Sequence, residues 1–372
     1  MVETRLIEGI EVINGSVPLT KTDPVQQWVD EWSVQLYVKV RAGALEGWGQ
    51  VLPAGGSTRE PYAALINRLS QALIGLNETS IEDAWNLMRR LTFSGGYGIT
   101  TGAISGIDIA LWDIKGKESG RSLASILGGM EAPVKRYASL SRYNSLERAV
   151  EATGWVLGKG YSMIKIHQTS KDTLETFKTI RKKYGYGFGL AADLNCAFSL
   201  EQGKKFMEEI VRYEPLWVEE PIWPPDDFDS LRKLNRIGPI AAGENTFSFF
   251  EFKRLMEMEA LSYYQPDVAK VGGVTPTLEI LNLAKKYKAK IAFHNRPDNG
   301  WISTIASTHV ASAIYPDALI ETPPNEIPSE YFLFRGKITK SDITPSGPGL
   351  GISPLPTIPT SNESKMLRFH EN

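Results

Sequence analysis

The segments Gly189-Leu-Ala-Ala-Asp193 and Leu216-Trp-Val-Glu219 decide the fold, because each is a short apolar run that ends in a carboxylate. The pattern recurs along the C-terminal two-thirds of the chain about every 25 residues, the length of one strand, one helix and two loops. The polar residues at these strand ends are Lys165, Asp193, Glu219, Glu244, Asp267, His294 and Glu321. This spacing predicts a (β/α)₈ barrel with the polar groups around one mouth.

Amphipathic segments fill the intervals between these runs, which predicts that helices alternate with the strands. The predicted barrel helices are residues 145–157, 173–183, 201–213 and 277–287. The first 130 residues lack the repeat and instead combine an alternating run at 34–40 with helical patterns at 62–76 and 106–117. They therefore predict a separate α+β domain in front of the barrel.

We expect three parts, with residues 1–130 as the α+β domain, 131–328 as the barrel, and 329–372 as a C-terminal segment. Residues 344–354 are rich in Pro and Gly, which favours an extended crossing over a helix or strand. We expect this crossing to return the chain from the barrel to the first domain.

The composition excludes several classes of function. The chain has 372 residues, a formal net charge of −2 and one cysteine, with charges of both signs interspersed. It therefore lacks the basic footprint of a nucleic-acid-binding protein, and an internal disulfide is impossible. The sequence shows no signal-peptide pattern and no apolar stretch of about 20 residues that predicts a membrane helix. We expect a cytoplasmic protein, acting as a homo-oligomer, whose partner is a small-molecule carboxylate.

The carboxylates Asp193, Glu219 and Glu244 end three consecutive predicted strands. Three like charges in one pocket repel each other, so they either take up protons or bind a cation. An all-oxygen ligand set suits a hard divalent ion such as Mg²⁺. Asn195, two residues after Asp193, can help to line this site.

Asp267 and His294 end neighbouring strands, so the carboxylate can fix the tautomer of the imidazole and make it a general base or acid. The alternative for His294 is a hydrogen-bonded structural histidine. Lys165 and His167 alternate along one strand and therefore point to the same face. Lys165 can then neutralise a substrate carboxylate or a developing oxyanion, and the alternative, an ion pair with Asp193, can coexist with that role.

Three further features leave alternatives open. Glu321 either donates a hydrogen bond to an oxyanion, if it is protonated, or orients substrate hydroxyls, if it is charged. The pair Gly272-Gly273 is either a phosphate cradle or a tight turn, and its place after the sixth strand favours the turn. Substrate selection is assigned to loops near residues 18–32 and 52–61, with Lys21, Trp28 and Arg59 as candidate substrate-binding residues.

The chain resembles the mandelate racemase-like group of the enolase superfamily. The resemblance rests on motifs in the same order, among them Lys165-Ile-His167, Asp193-Leu-Asn, Trp217-Val-Glu-Glu-Pro, Gly243-Glu-Asn and Gln265-Pro-Asp. It implies that the N-terminal domain and the C-terminal segment cap the barrel, and that Asp193, Glu219 and Glu244 bind Mg²⁺. Muconate-lactonising relatives carry a lysine at the position of Asp267. Relatives commonly have Lys-x-Lys at residues 165–167, and this chain departs from them at His167.

Such relatives begin by removing the proton α to a carboxylate, with Mg²⁺ and a group such as Lys165 stabilising the resulting enediolate. Imidazolium is the better proton donor at neutral pH, because its pKa of about 6.5 is closer to the working pH than about 10.4 for lysine. His167 and His294 therefore favour dehydration of a sugar acid over racemisation. The loops near residues 18–32 and 52–61 hold few cations that could receive a second carboxylate, which favours an aldonate such as arabinonate or gluconate over an aldarate. The alternatives are an α-hydroxy-acid racemase or epimerase and a non-catalytic protein with this fold.

Overall fold

The computed structural model describes residues 5–16, 34–53, 58–77, 80–296, 301–324 and 332–354. Lys21 and Trp28, and most of the loops assigned to substrate selection, lie outside these residues. Within the described chain, no helix combines the length and the apolar character needed to cross a membrane.

The N-terminal domain is an antiparallel sheet covered by helices. Its strands pair in the order β1-β2-β3 and comprise Ile7–Ser16 (β1), Val34–Ala42 (β2) and Leu45–Val51 (β3). The helices that follow are Arg59–Leu73 (α1), Ile81–Leu91 (α2), Ile99–Glu118 (α3) and Leu123–Ile126 (α4). The apolar faces of the sheet and of α1 to α3 form a core of their own, which confirms the predicted α+β character.

The second domain is the predicted barrel of alternating strands and helices. Its strands are Val134–Ser139 (β4), Met163–Ile166 (β5), Gly189–Asp193 (β6), Val218–Glu219 (β7), Ile240–Ala242 (β8), Tyr263–Tyr264 (β9), Ala292–Phe293 (β10) and Leu319–Thr322 (β11). The helices between them are Leu146–Gly158 (α5), Thr173–Tyr184 (α6), Leu200–Ile210 (α7), Phe228–Asn235 (α8), Phe249–Glu257 (α9), Val274–Tyr287 (α10) and Ile302–Ile314 (α11).

The barrel is closed by parallel pairing all the way around. The hydrogen-bonded order is β10-β11-β4-β5-β6-β7-β8-β9, and a parallel bridge between Tyr264 and Ile291 joins the two ends. Serine residues begin several of the outer helices, since the side chains of Ser145, Ser199 and Ser248 each accept a hydrogen bond from a backbone N–H of the first turn. These caps satisfy donors that a helix leaves unpaired at its start.

The start of α3 differs from the sequence prediction. The helix begins at Ile99, whereas the apolar pattern predicted a start at Gly106. Gly102 and Gly106 lower the helix propensity of this turn, and this hides its beginning in the sequence. Packing explains both glycines, because a Cβ on Gly106 would lie 2.7 Å from side-chain carbons of Val38 and Val51, and one on Gly102 would lie 2.6 Å from the hydroxyl of Tyr62. On the sheet side, a Cβ on Gly49 of β3 would lie 1.8 Å from the carbonyl oxygen of Gly106. The helix and the sheet therefore meet with backbone against backbone.

The turn at Gly272 and Gly273 joins the two domains. Both glycines have positive φ, 110° and 100°, as a tight turn requires. Asp108 of α3 accepts hydrogen bonds from Thr275 N at 3.0 Å and from Thr275 Oγ1 at 2.5 Å. Its carboxylate therefore occupies the N-terminus of α10, the position that a bound phosphate would need. The tight-turn interpretation is confirmed.

The C-terminal strands are Phe332–Phe334 (β12), Lys337–Ile338 (β13), Asp342–Thr344 (β14) and Ile352–Pro354 (β15). Strand β14 pairs with β4 of the barrel, and the chain then reaches the N-terminal domain. There, Asp113 of α3 accepts a hydrogen bond from Leu350 N at 2.8 Å and another from Trp48 N at 2.9 Å. The predicted boundaries near residues 130 and 328 stay a prediction.

Replacing Asp108 tests the docking of the N-terminal domain on α10. Asp108→Ala removes the acceptor of Thr275 N–H and should lower the free energy of unfolding by about 1–3 kcal/mol, the cost of an unsatisfied buried donor. Asp108→Asn keeps an acceptor oxygen and should cost less than about 1 kcal/mol. Urea denaturation measures both values. Equal stability of the Ala variant and the wild type would contradict this role of Asp108.

Candidate active site at the carboxyl ends of the barrel strands

The predicted carboxylate cluster forms at the mouth of the barrel. Asp193 and Glu219 pair directly in the register of β6 and β7, and Glu244 follows β8. One ligand oxygen from each of these three residues lies within 4.8 Å of the others. Asp193 and Glu219 are buried and Glu244 is half-buried. Three carboxylates at this separation can hold one divalent cation.

Lys165 lies between the carboxylates and is fully buried. Its Nζ is 2.5 Å from Glu219 Oε1, 2.7 Å from Glu321 Oε1 and 3.5 Å from Asp193 Oδ2. Burial alone would lower the pKa of Lys165, but the surrounding negative charges, Glu219 first, raise it well above its usual value. The side chain is therefore an ammonium ion, and the predicted ion pair with Asp193 is one part of a larger network.

His294 forms the predicted pair with Asp267. Its Nδ1 lies 2.6 Å from Asp267 Oδ2, and its Nε2 lies 2.8 Å from Glu244 Oε2. The other oxygen of Asp267 accepts a hydrogen bond from Ala269 N, which fixes the carboxylate. Burial favours neutral imidazole, yet the charge of Glu244 and the hydrogen bond to Asp267 raise the pKa of His294 well above its usual value. Because Asp267 holds Nδ1, His294 faces the carboxylate cluster with Nε2.

His167 reaches the same cluster from another strand. Its Nδ1 is 2.6 Å from the carbonyl oxygen of Leu140, and its Nε2 is 3.1 Å from Asp193 Oδ2. A carbonyl oxygen only accepts hydrogen bonds, so Nδ1 carries a proton and Nε2 is the nitrogen that faces the cluster. His167 and His294 both present Nε2 to the mouth, one beside Asp193 and the other beside Glu244.

The surroundings of Glu321 favour its charged form. Its Oε2 accepts hydrogen bonds from Tyr137 OH and from Asn295 N, each at 3.2 Å. Burial opposes ionisation, but Lys165 and the two nearby imidazoles lower the pKa of Glu321 below its usual value. Of the two predicted roles, this geometry favours a charged carboxylate over a hydrogen-bond donor.

The electrostatics of the cluster suit an added cation. Burial raises the pKa of Asp193, but Lys165 and His167 outweigh it and bring this pKa to about 2. The pKa of Glu219 is instead raised well above its usual value. Burial and the charges of Asp193 and Glu321 raise it by more than the charge of Lys165 lowers it. Negative charge thus exceeds what Lys165 neutralises. A divalent cation bound to the carboxylates would remove that excess.

The candidate substrate-binding residues have different surroundings. Asn195 lies in the site, and its Nδ2 and backbone N both donate to Asp193 Oδ1, at 2.5 and 2.8 Å. Arg59 begins α1 and forms an ion pair with Glu60 at 2.9 Å. The structure describes no hydrogen bond from Arg59 to the carboxylate cluster. The substrate contacts of Asn195 and Arg59, like those of Lys21 and Trp28, stay predictions.

Residues that hold the carboxylates were missed by the sequence analysis. Trp217 and Gln265 donate to Glu219, Asn245 donates to Glu244, and Tyr137 donates to Glu321. A signal existed for Trp217 and Gln265, because each precedes a site residue by two positions near a strand end and therefore shares its face.

The two domains match known families. Residues 10–128 match the N-terminal domain of the mandelate racemase / muconate lactonizing enzyme family. Residues 147–358 match the enolase C-terminal domain-like family. Together the two matches span most of the chain and confirm the resemblance.

Individual relatives are similar to this chain over most of its length. It is 30% identical over 274 residues to a protein named D-galactonate dehydratase from Klebsiella pneumoniae (strain 342), covering 70% of this chain and 71% of that protein. The structure of 3,6-anhydro-D-galactonate cycloisomerase from Zobellia galactanivorans superposes with a TM-score of 0.82 and 26% identity, over 94% and 97% of the two chains.

A third relative is L-talarate dehydratase from Polaromonas sp. JS666, whose structure is a complex with Mg and L-glucarate. It superposes with a TM-score of 0.81 and 23% identity, over 95% of this chain and 96% of that one. At this identity the likeness shows the fold. The predicted barrel with its capping domain is confirmed.

Lys165→Met tests whether the ammonium group holds the carboxylates together. Removing one partner of a buried ion pair leaves uncompensated charge, so the metal-free variant should lose about 3–5 kcal/mol of unfolding free energy. Lys340→Met removes an exposed lysine and should change it by less than about 0.5 kcal/mol. Chemical denaturation in the presence of a chelator gives both numbers. A Lys165 variant as stable as the Lys340 variant would refute this role.

Proposed function

Because the chain belongs to the mandelate racemase/muconate lactonizing enzyme family, we propose that it is a Mg²⁺-dependent dehydratase of a sugar acid. Its substrate is an aldonate such as arabinonate or gluconate, and its product is a 2-keto-3-deoxy acid. The relatives named D-galactonate dehydratase, from Klebsiella pneumoniae and Ralstonia pickettii, support an aldonate as the substrate class.

The observation that carries the proposal is the pair of imidazoles at the mouth. His167, directly after β5, contacts Asp193, and His294, directly after β10, contacts Glu244, so the two Nε2 atoms approach the cluster from the ends of different strands. Dehydration needs removal of the α-proton and protonation of the departing hydroxyl. Two imidazoles that approach the cluster from different strands can divide these tasks.

The cation would be held by Asp193, Glu219 and Glu244, whose oxygens have the hard character that Mg²⁺ prefers. The Mg²⁺ complex of L-talarate dehydratase is consistent with this choice. When bound, the ion would supply Lewis-acid stabilisation of negative charge on the substrate carboxylate.

The side chains of this protein supply the remaining steps. Lys165, kept charged by Glu219 and Glu321, faces the mouth and stabilises negative charge as the α-proton leaves. One imidazole accepts that proton at Nε2, and the other donates a proton to the β-hydroxyl, which departs as water. Asp267 holds His294 in one orientation by accepting from Nδ1, and Leu140 O does the same for His167.

We further propose that the protein works in the cytoplasm as a homo-oligomer. We assign self-association to the end of α2 and the turn that follows it, where Leu91, Phe93 and Tyr97 are exposed. Adjacent exposed apolar side chains of this kind are typical of interaction surfaces.

Incubation with a panel of aldonates and Mg²⁺ tests the proposed function. At least one aldonate should give a 2-keto-3-deoxy acid, detected by a colorimetric assay for that product. Chelation with EDTA should abolish the activity and added Mg²⁺ should restore it, because the carboxylate cluster would hold the ion reversibly. Unchanged turnover by metal-free protein would eliminate the metal assignment. Absence of the product with every aldonate would eliminate the substrate class.

A further inference from the structure

Glu219 is held by two uncharged donors from the interior of the barrel. Trp217 Nε1 donates to Glu219 Oε2 at 2.9 Å, and Gln265 Nε2 donates to the same oxygen at 2.7 Å. The other oxygen, Oε1, lies 2.5 Å from Lys165 Nζ. All four side chains are fully buried, so water does not compete for these hydrogen bonds.

The indole of Trp217 is fixed by aromatic neighbours. Its ring centroid lies 5.1 Å from that of Tyr137 in an edge arrangement, and 4.9 Å from that of Tyr263. Trp217 precedes Glu219 by two residues at β7 and therefore points into the barrel on the same face. Packed against two rings, the indole directs its N–H at the carboxylate of Glu219.

The amide of Gln265 is oriented by Glu219. Its Oε1 is buried and has no hydrogen-bond partner among the described residues, and its Nε2 donates to Glu219. The opposite amide orientation would place an oxygen against the carboxylate, where both atoms only accept. An unpaired buried oxygen is unfavourable. The observed orientation nevertheless leaves Oε1 without a partner and keeps the hydrogen bond from Nε2 to Glu219.

A carboxylate oxygen has two lone pairs, so two donors are enough to saturate Oε2. We propose that Trp217 and Gln265 are positioning residues that turn Glu219 so that it offers a single oxygen, Oε1, to a divalent cation. This inference rests on the proposed function only in assuming that the cation is Mg²⁺. Both side chains are fully buried beneath Glu219. Each acts through Glu219.

The same interior layer contains a matched control. Tyr137 packs edge-on against Trp217 and is also buried, but its hydroxyl donates to Glu321, which is outside the triad of Asp193, Glu219 and Glu244. Tyr137→Phe therefore disturbs the same layer and removes one hydrogen bond, without removing a donor from a carboxylate of the triad.

The test is the dissociation constant for Mg²⁺, measured by titration calorimetry on the full-length protein, together with the melting temperature of the metal-free form. Gln265→Met keeps the volume and removes the donor, and Trp217→Phe keeps an aromatic ring and removes the indole N–H. Each should weaken Mg²⁺ binding about 10–100-fold, the usual effect of losing a group that orients a metal ligand. Tyr137→Phe should bind Mg²⁺ within about threefold of the wild type.

Specific results would overturn the inference. If Gln265→Met bound Mg²⁺ with wild-type affinity, with or without a lower melting temperature, Gln265 would be a packing residue and the inference would be wrong. If Trp217→Phe does not fold, the result for Gln265→Met alone decides the question. If Tyr137→Phe weakened Mg²⁺ binding equally, the effect would come from the packing of Trp217 and Tyr137 and not from the hydrogen bonds to Glu219. Failure of the proposed metal site is distinguishable, because the wild type itself would then bind no Mg²⁺.

Discussion

The buried ammonium group of Lys165 is the interaction on which the site depends. Carboxylates from β6, β7 and β11 converge on it, and without a cation their mutual repulsion in a desolvated pocket would oppose closure of the barrel mouth. Lys165 neutralises only part of this charge, since burial and the neighbouring carboxylates still raise the pKa of Glu219. The protein thus folds around the ammonium group of Lys165, and the negative charge that Lys165 does not neutralise favours the binding of a second cation.

Aromatic side chains in the barrel interior hold two of these carboxylates in place. Trp217 and Tyr137 fill the interior with aromatic rings and direct their polar atoms upward, one to Glu219 and the other to Glu321. Hydrophobic packing and orientation of the charged groups are therefore functions of the same side chains. Asp108 likewise has two roles. Its carboxylate accepts hydrogen bonds from Thr275 at the start of α10, and these bonds also join the N-terminal domain to the barrel.

The strand-end residues could be predicted from the sequence because a barrel repeats one short unit, and the carboxyl ends of its parallel strands all meet at one mouth. The start of α3 could not be predicted, because Gly102 and Gly106 obscure the helical pattern. Their reason lies in close packing, of Gly102 against Tyr62 of α1 and of Gly106 against Val38 and Val51 of the sheet. The hydrogen bonds of Trp217 and Gln265 also escaped prediction, since alternation gives the face of a side chain but not its partner. The ionised state of Glu321 depends on Tyr137, Asn295 and Lys165, which come from separate parts of the chain.

The central claim is that two imidazoles divide the dehydration of a sugar acid. Proton NMR in D₂O measures exchange of the α-proton and loss of water separately, for the wild type and for His167→Asn and His294→Asn. We expect one variant to keep exchange while water loss falls by at least about 10²-fold, and the other to lose both, since elimination follows removal of the α-proton. Wild-type dehydration by both variants, or a wild type that interconverts epimers without releasing water, would contradict the account.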